Sequence, residues 1–126
     1  VMRALLEATS FGARAIIEAF EKDGIKIEKI MAIGGVARKS KIGMQILADV
    51  TNRDIHVTAG DQSCAIGAAV FAATAAGLYP DIFAAQRALS AGTERVHKPD
   101  PARVAVYNKL YEKYQKLGTY IEGTVQ

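Results

Sequence analysis

This sequence holds a single cysteine, Cys64, and no tryptophan. One thiol closes no internal disulfide and builds no cysteine-based metal site, so a reducing, cytoplasmic compartment is the expectation. Long apolar runs are missing too. Each is broken by Gly, Asp or Arg within a few residues, which leaves no transmembrane span and removes a membrane from the expected partners. Nothing at the amino end reads as a secretion signal: Val1 opens straight into a helical pattern, without a basic leader or a cleavage site. That opening is expected of a segment taken from a longer chain.

Familiar catalytic constellations are equally scarce. No HExxH, cysteine cluster or aspartate-rich loop points to a metal, and no metal ligand is assigned. His56 and His97 are isolated, and Ser63-Cys64 has no base to pair with, so no catalytic residue is assigned either. Neither GxxxxGK[ST] nor GxGxxG is present, which excludes the Walker and Rossmann phosphate turns.

What is present is 126 residues, half of them hydrophobic and 23% charged, enough for one core. The net charge of +3 is unevenly placed. Residues 1–94 balance ten Lys/Arg against ten Asp/Glu, whereas 95–126 carry six against three. Those late charges alternate with Tyr and Leu at helical spacing, the pattern of a solvated helix face, and nucleic acid is set aside as a partner.

Residues 1–22 read as a helix. Arg3, Glu7, Ser10, Arg14, Glu18 and Glu21 form a narrow polar stripe, and so thin a wet face predicts a mostly buried helix ended by Asp23-Gly24. Lys29–Ile33 reads as a buried strand, 40–51 as a helix with Ser40 as N-cap, and Asp54–Ala59 as a second, parallel strand. An Ala-rich helix follows, capped by Asp61, with Gly67 marking a close backbone approach. A short helix near Asp81 and a linker, "VHKPDP", lead to a last helix over about 101–121, opened by Asp100-Pro101. The predicted order is α-β-α-β-α-α-α, an α/β arrangement with a small parallel sheet. Two strands do not complete a doubly wound sheet, so an incomplete domain is expected over 1–126.

The remaining signal is "MAIGGVARKS", residues 31–40. Gly34-Gly35 stands at the carboxyl end of a predicted parallel strand, where open α/β sheets bind ligands, and glycine lets a flat group lie against the backbone. Arg38, Lys39 and Lys41 fall near the predicted start of the 40–51 helix, where cations are disfavoured unless an anion sits close by. A Gly-rich turn with solvent-facing charges explains the same residues, and on the residues alone both readings stand.

"GGVARKS", joined to "GDQSCAIGAAVFAA" and then "DIFAAQ", resembles the C-terminal region of the FGGY carbohydrate kinases, within the actin, hexokinase and Hsp70 ATPase superfamily. The likeness runs through nearly the whole chain, from "RALLEATSFGARAIIEAF" to "YNKLYEKYQKL". It implies part of a ribonuclease-H-like, actin-like ATPase domain. It also implies ATP-dependent phosphorylation of a sugar by an intact enzyme, with ATP and sugar as partners and Mg²⁺ held outside this chain. In the family the glycine pair and the polar residue at the next helix start border the adenosine. That maps onto Gly34, Gly35 and Ser40, with Arg38 near the ribose or phosphates. The phosphate loops, sugar site and catalytic Asp lie upstream in the family, and no Asp of this chain matches that base. The segment alone is therefore expected to be inactive and, with open sheet edges, to self-associate. Xylulose or gluconate as the sugar, or a non-catalytic actin-like nucleotide-binding or assembly module, are the alternatives.

Overall fold

A computed structural model describes residues 1–60 and 62–124. Helix α1 (Met2–Lys22) ends where Asp23-Gly24 stops it, Gly24 taking φ +85°. Strand β1 (Ile30–Ala32) leads into α2 (Gly34–Lys39) and α3 (Lys41–Thr51), and β2 (Ile55–Thr58) returns parallel to β1 with Ile30 opposite Ile55 and Ala32 opposite Val57. The expected βαβ unit is therefore present, but its crossover holds two helices. Ser40 divides them: its backbone leaves helical geometry (φ −96°, ψ 79°), and its hydroxyl accepts from Gly43 N–H at 3.2 Å as the N-cap of α3. Asn52 closes α3 in the left-handed conformation, φ 52°.

Helix α4 (Ser63–Ala75) and α5 (Ile82–Leu89) pack on each other. Asp81 caps α5 by accepting from Ala84 N–H at 2.7 Å. Asp61, the expected cap of α4, lies outside the described residues. A third strand, β3 (Thr93–His97), then pairs antiparallel with β2 before α6 (Pro101–Thr124). The sheet order is β1-β2-β3, mixed and not parallel throughout. The α/β class holds, while the element order gains α2 and β3. "TERVH" carries one apolar residue and no alternation, so hydrophobic periodicity could not announce it. Its place is fixed by backbone pairing to β2, whose Ile55 and Val57 are fully buried.

The core lies on the other side of α3. Phe11 of α1, Ile46 and Val50 of α3, and Tyr107 and Tyr111 of α6 form one buried cluster, edged by Leu6 and Leu110. The Phe11 ring meets Tyr107 edge-on at 6.2 Å and lies 5.8 Å from Tyr111. Asp49, 1% exposed, is saturated by Gln45 Nε2 at 3.0 Å, Asp100 N–H at 2.8 Å and Arg103 Nε at 3.0 Å, tying α3 to the start of α6.

The expectation of a mostly buried α1 is overturned. Its polar stripe faces inward: Tyr107 donates to Glu7 at 3.0 Å, Tyr111 donates to Glu18 at 2.9 Å, and Arg14 reaches Asn108 Oδ1 and the Val50 carbonyl. The tyrosine hydroxyls of α6 require acceptors, and this stripe supplies them. Leu5, Ile16 and Phe20 are left exposed on the far side. Helix α4 departs likewise. A Cβ on Gly67 would meet nothing within 4 Å, so among the described residues no backbone presses on it. An open apolar groove of about 720 Å³ separates α4 and α5 from Met31, Ile33 and Thr58 of the sheet side.

Candidate functional site

Strand β1 delivers the chain at its carboxyl end to Ile33, Gly34 and Gly35. Gly34 adopts φ +87°, a conformation that side-chain-bearing residues avoid, and this alone accounts for a glycine there. Gly35 is different. Its φ is not in the left-handed region, and a Cβ on it would meet nothing within 4 Å. Among the described residues no packing contact asks for its bare backbone. What a side chain there would fill is a shallow surface depression of about 610 Å³, lined by Gly35, Val36, Lys39, Ser40, Lys41 and Ile42.

The wall is a weak element in itself. Helix α2 has six residues and starts at Ile33 with no side-chain cap. Gly35 costs up to about 1 kcal/mol relative to Ala, the helix-interior figure, whereas Gly34 at φ +87° is the favoured residue. Ala37 anchors it from below, buried to 4% exposure, and Ser40 N–H closes its last turn on the Val36 carbonyl at 2.9 Å.

The electrostatic argument for an anion needs correction. Arg38 and Lys39 are in the last turn of α2, where the helix dipole favours cations, and only Lys41 stands at a helix start. Arg38 is also engaged: its Nε donates to Glu94 Oε2 of β3 at 3.0 Å. The fold brings Gly35 and Ser40 to one concave surface, with Gly34 immediately before it and Arg38 on the same short helix. Val36, Lys39, Lys41 and Ile42 line the same surface, and adjacency to the glycine pair was the available signal for them. Glu94 was not foreseen, because β3 itself carried no periodicity.

Titratable groups elsewhere offer little. His97 faces Gln45, its Nδ1 3.4 Å from Oε1, and its buried Nε2 has no partner among the described residues. Burial, and then the charges of Arg95 and Lys41, hold its imidazolium below the ordinary histidine range. Cys64 is exposed on α4. Among the described residues no group of three or more His, Cys, Asp or Glu could hold a metal ion, and no carboxylate lines the depression. No described helix is long and apolar enough to cross a membrane.

The depression at the end of the parallel strand β1 thus combines Gly35, Val36 and Ile42 with one hydroxyl, Ser40, and two lysines, Lys39 and Lys41. Residues 1–76 match the C-terminal domain of the FGGY family of carbohydrate kinases. The chain belongs to this family. Among curated FGGY kinases it is 48% identical to the ribulokinase of Anoxybacillus flavithermus, over 95% of the chain, and 41% identical to that of Vibrio parahaemolyticus, over 97%. It spans 22% of the length of each. Solved FGGY kinases share its fold. The xylulose kinase of Rhodospirillum rubrum superposes with a TM-score of 0.81 at 28% identity, covering 97% of this chain and 24% of the other. The gluconate kinase of Lactobacillus acidophilus gives 0.78 at 27%, covering 94% and 24%. The fold is thus the actin-like ATPase fold of these sugar kinases, of which the chain holds one part.

Proposed function

We propose that this chain is the C-terminal, incomplete-domain part of an ATP-dependent sugar kinase and forms the adenosine side of its nucleotide site. The observation that carries the reading is Gly35. Its bare backbone borders a concave surface, and no contact among the described residues accounts for the missing side chain. Gly34 and Gly35 present backbone against the adenosine, the Ser40 hydroxyl offers a polar contact at its rim, and Arg38 marks the edge towards the ribose or phosphates. The Ser40 oxygen already accepts from Gly43, which fixes its direction.

Bound ATP supplies the phosphoryl group, and Mg²⁺ offsets its charge. The sugar hydroxyl oxygen forms a bond to the γ-phosphorus as the bond to the ADP oxygen breaks, and the hydroxyl proton passes to a base. No carboxylate lines the depression at Gly35, and Asp49, Asp81 and Asp100 are engaged in structural hydrogen bonds. Base, metal ligands and sugar contacts are assigned to the remainder of the polypeptide. L-ribulose, converted to L-ribulose 5-phosphate, is the proposed sugar, supported by the 41–48% identity to ribulokinases. The solved relatives named for xylulose and gluconate stand at 27–28% and support those sugars less.

The test is steady-state kinetics of the full-length protein that carries this segment. Gly35→Val should raise the KM for ATP about tenfold, roughly 1.4 kcal/mol of lost binding, with the sugar KM little changed. The reverse pattern would sink the adenosine-wall assignment. Comparing kcat/KM for L-ribulose, D-xylulose and gluconate decides the sugar.

A further inference from the structure

Helix α2 has no side-chain cap at its start, and part of what holds it lies on β3. Pairing with β2 runs in register from His97 opposite Ile55 to Arg95 opposite Val57, and then Thr93 stands opposite Thr58. Glu94 is thus an extra residue, a β-bulge. In an unbroken strand adjacent side chains point to opposite faces, so Glu94 and Arg95 would diverge. A bulge re-aims one of them. Here both reach the same residue of α2. Arg95 Nη2 donates to the Arg38 carbonyl at 3.1 Å, one of the acceptors a helix leaves open at its C-terminal end. Glu94 Oε2 accepts from Arg38 Nε at 3.0 Å, while Glu94 Oε1 lies 3.5 Å from Arg95 Nη2. The Arg38 and Arg95 side chains are partly buried, at 29% and 23% exposure, while Glu94 is exposed at 39%.

We propose that the Glu94-Arg95 bulge is a clamp that positions α2, so that these two β3 residues set nucleotide affinity without touching the nucleotide. The inference rests on the adenosine-wall reading above. The clamp grips the last turn of α2 by main chain and side chain together, at the end remote from Gly35 and next to Ser40. Released, a six-residue helix with two glycines at its start keeps the buried Ala37 but loses the grip on its last turn, and the Gly35 surface loses its pre-set shape.

Kinetics of the full-length protein test this with four variants. Arg95→Met removes every donor and should raise the KM for ATP about fivefold, leaving the sugar KM within about twofold. Arg95→Lys restores one donor to the Arg38 carbonyl and should recover most of that loss. Glu94→Gln keeps shape and one acceptor but drops the charge; it should raise the ATP KM about twofold to threefold and decides the matter if Arg95→Met does not fold. Gly35→Val is the reference for the site itself. An unchanged ATP KM in folded Arg95→Met or Glu94→Gln, with Gly35→Val impaired, overturns the clamp alone. Equal rises in both KM values overturn it as well, since they mark general loosening. An unchanged ATP KM in Gly35→Val removes the adenosine wall, and the clamp's purpose with it.

Discussion

At His97 the neighbours decide the charge. Its ring is partly buried between Gln45 and the cations Arg95 and Lys41, and both burial and charge oppose protonation. In the unfolded chain the imidazole takes a proton near pH 6.5; in the folded chain it does so at lower pH. The unfolded state therefore binds more protons in that window. The stabilisation is complete above about pH 6.5 and is lost as the pH falls through the folded value. An NMR titration of the ring protons should give His97 a midpoint below 6.5, and His97→Gln should flatten the decline of the melting temperature between pH 7 and 5.5. A midpoint at or above 6.5 would show the ring to be solvated. Single residues were legible to different degrees. Gly34, Ser40, Asp81 and Asp100 act as local chemistry dictates, because a turn or a cap is decided by a few neighbouring atoms. Arg38 and Lys39 were legible as cations near a helix end, but as neighbours of the start of the 40–51 helix and not as the last turn of α2. Their meaning depended on α2, a helix too short to have a period.

At the scale of elements, the α1–α6 seam carries the clearest energetic consequence. Tyr111 is 3% exposed and donates to Glu18, which Arg14 also pairs at 2.8 Å, with the Arg14 guanidinium 4.2 Å from the Tyr111 ring centroid. Burial first, and then the Glu18 carboxylate, push the phenol up to about 12. A raised folded value means that this contribution is intact below pH 10 and is lost as the pH climbs from 10 towards 12. Tyr111→Phe should cost about 1 kcal/mol at neutral pH, because Glu18 keeps Arg14 as a partner. The same variant should lose the late phase of the phenolate absorbance titration. An unchanged titration curve would place that phase on another tyrosine. The three-four spacing of these tyrosines was plain in the sequence, but the side of α1 that receives them was not. A stripe of Arg, Glu and Ser reads as a wet face until a partner arrives with hydroxyls to satisfy. Strand β3 was less legible still. It is exposed along most of its length and defined by its ladder to β2, so the information that places it is held by the partner strand and not by its own residues.

For the molecule as a whole, the apolar surface left uncovered predicts its behaviour. Leu5, Ile16 and Phe20 share the open side of α1, Phe71 stands out from α4 at 65% exposure, and Leu117 and Ile121 project from the last turns of α6. The groove between the sheet and α4 is open, and β1 has no described strand on its outer edge. A stable monomer seldom carries separate apolar patches together with an unpaired strand edge. The ribulokinases it resembles are between four and five times as long, the chain spanning 22% of each, and the remaining polypeptide is the proposed cover for these faces. Expressed by itself, this chain should self-associate, with a weight-average mass in sedimentation that rises with concentration and a dye response to exposed apolar surface. Replacing Ile16, Phe20 and Phe71 by Gln or Lys should lower both signals. The core cluster of Phe11, Ile46, Val50, Tyr107 and Tyr111 lies on the other side of α1 and α3 and is untouched by the change. A well-behaved monomer at high concentration would mean that the open faces are tolerated by water, and that the long relatives do not need them as interdomain seams.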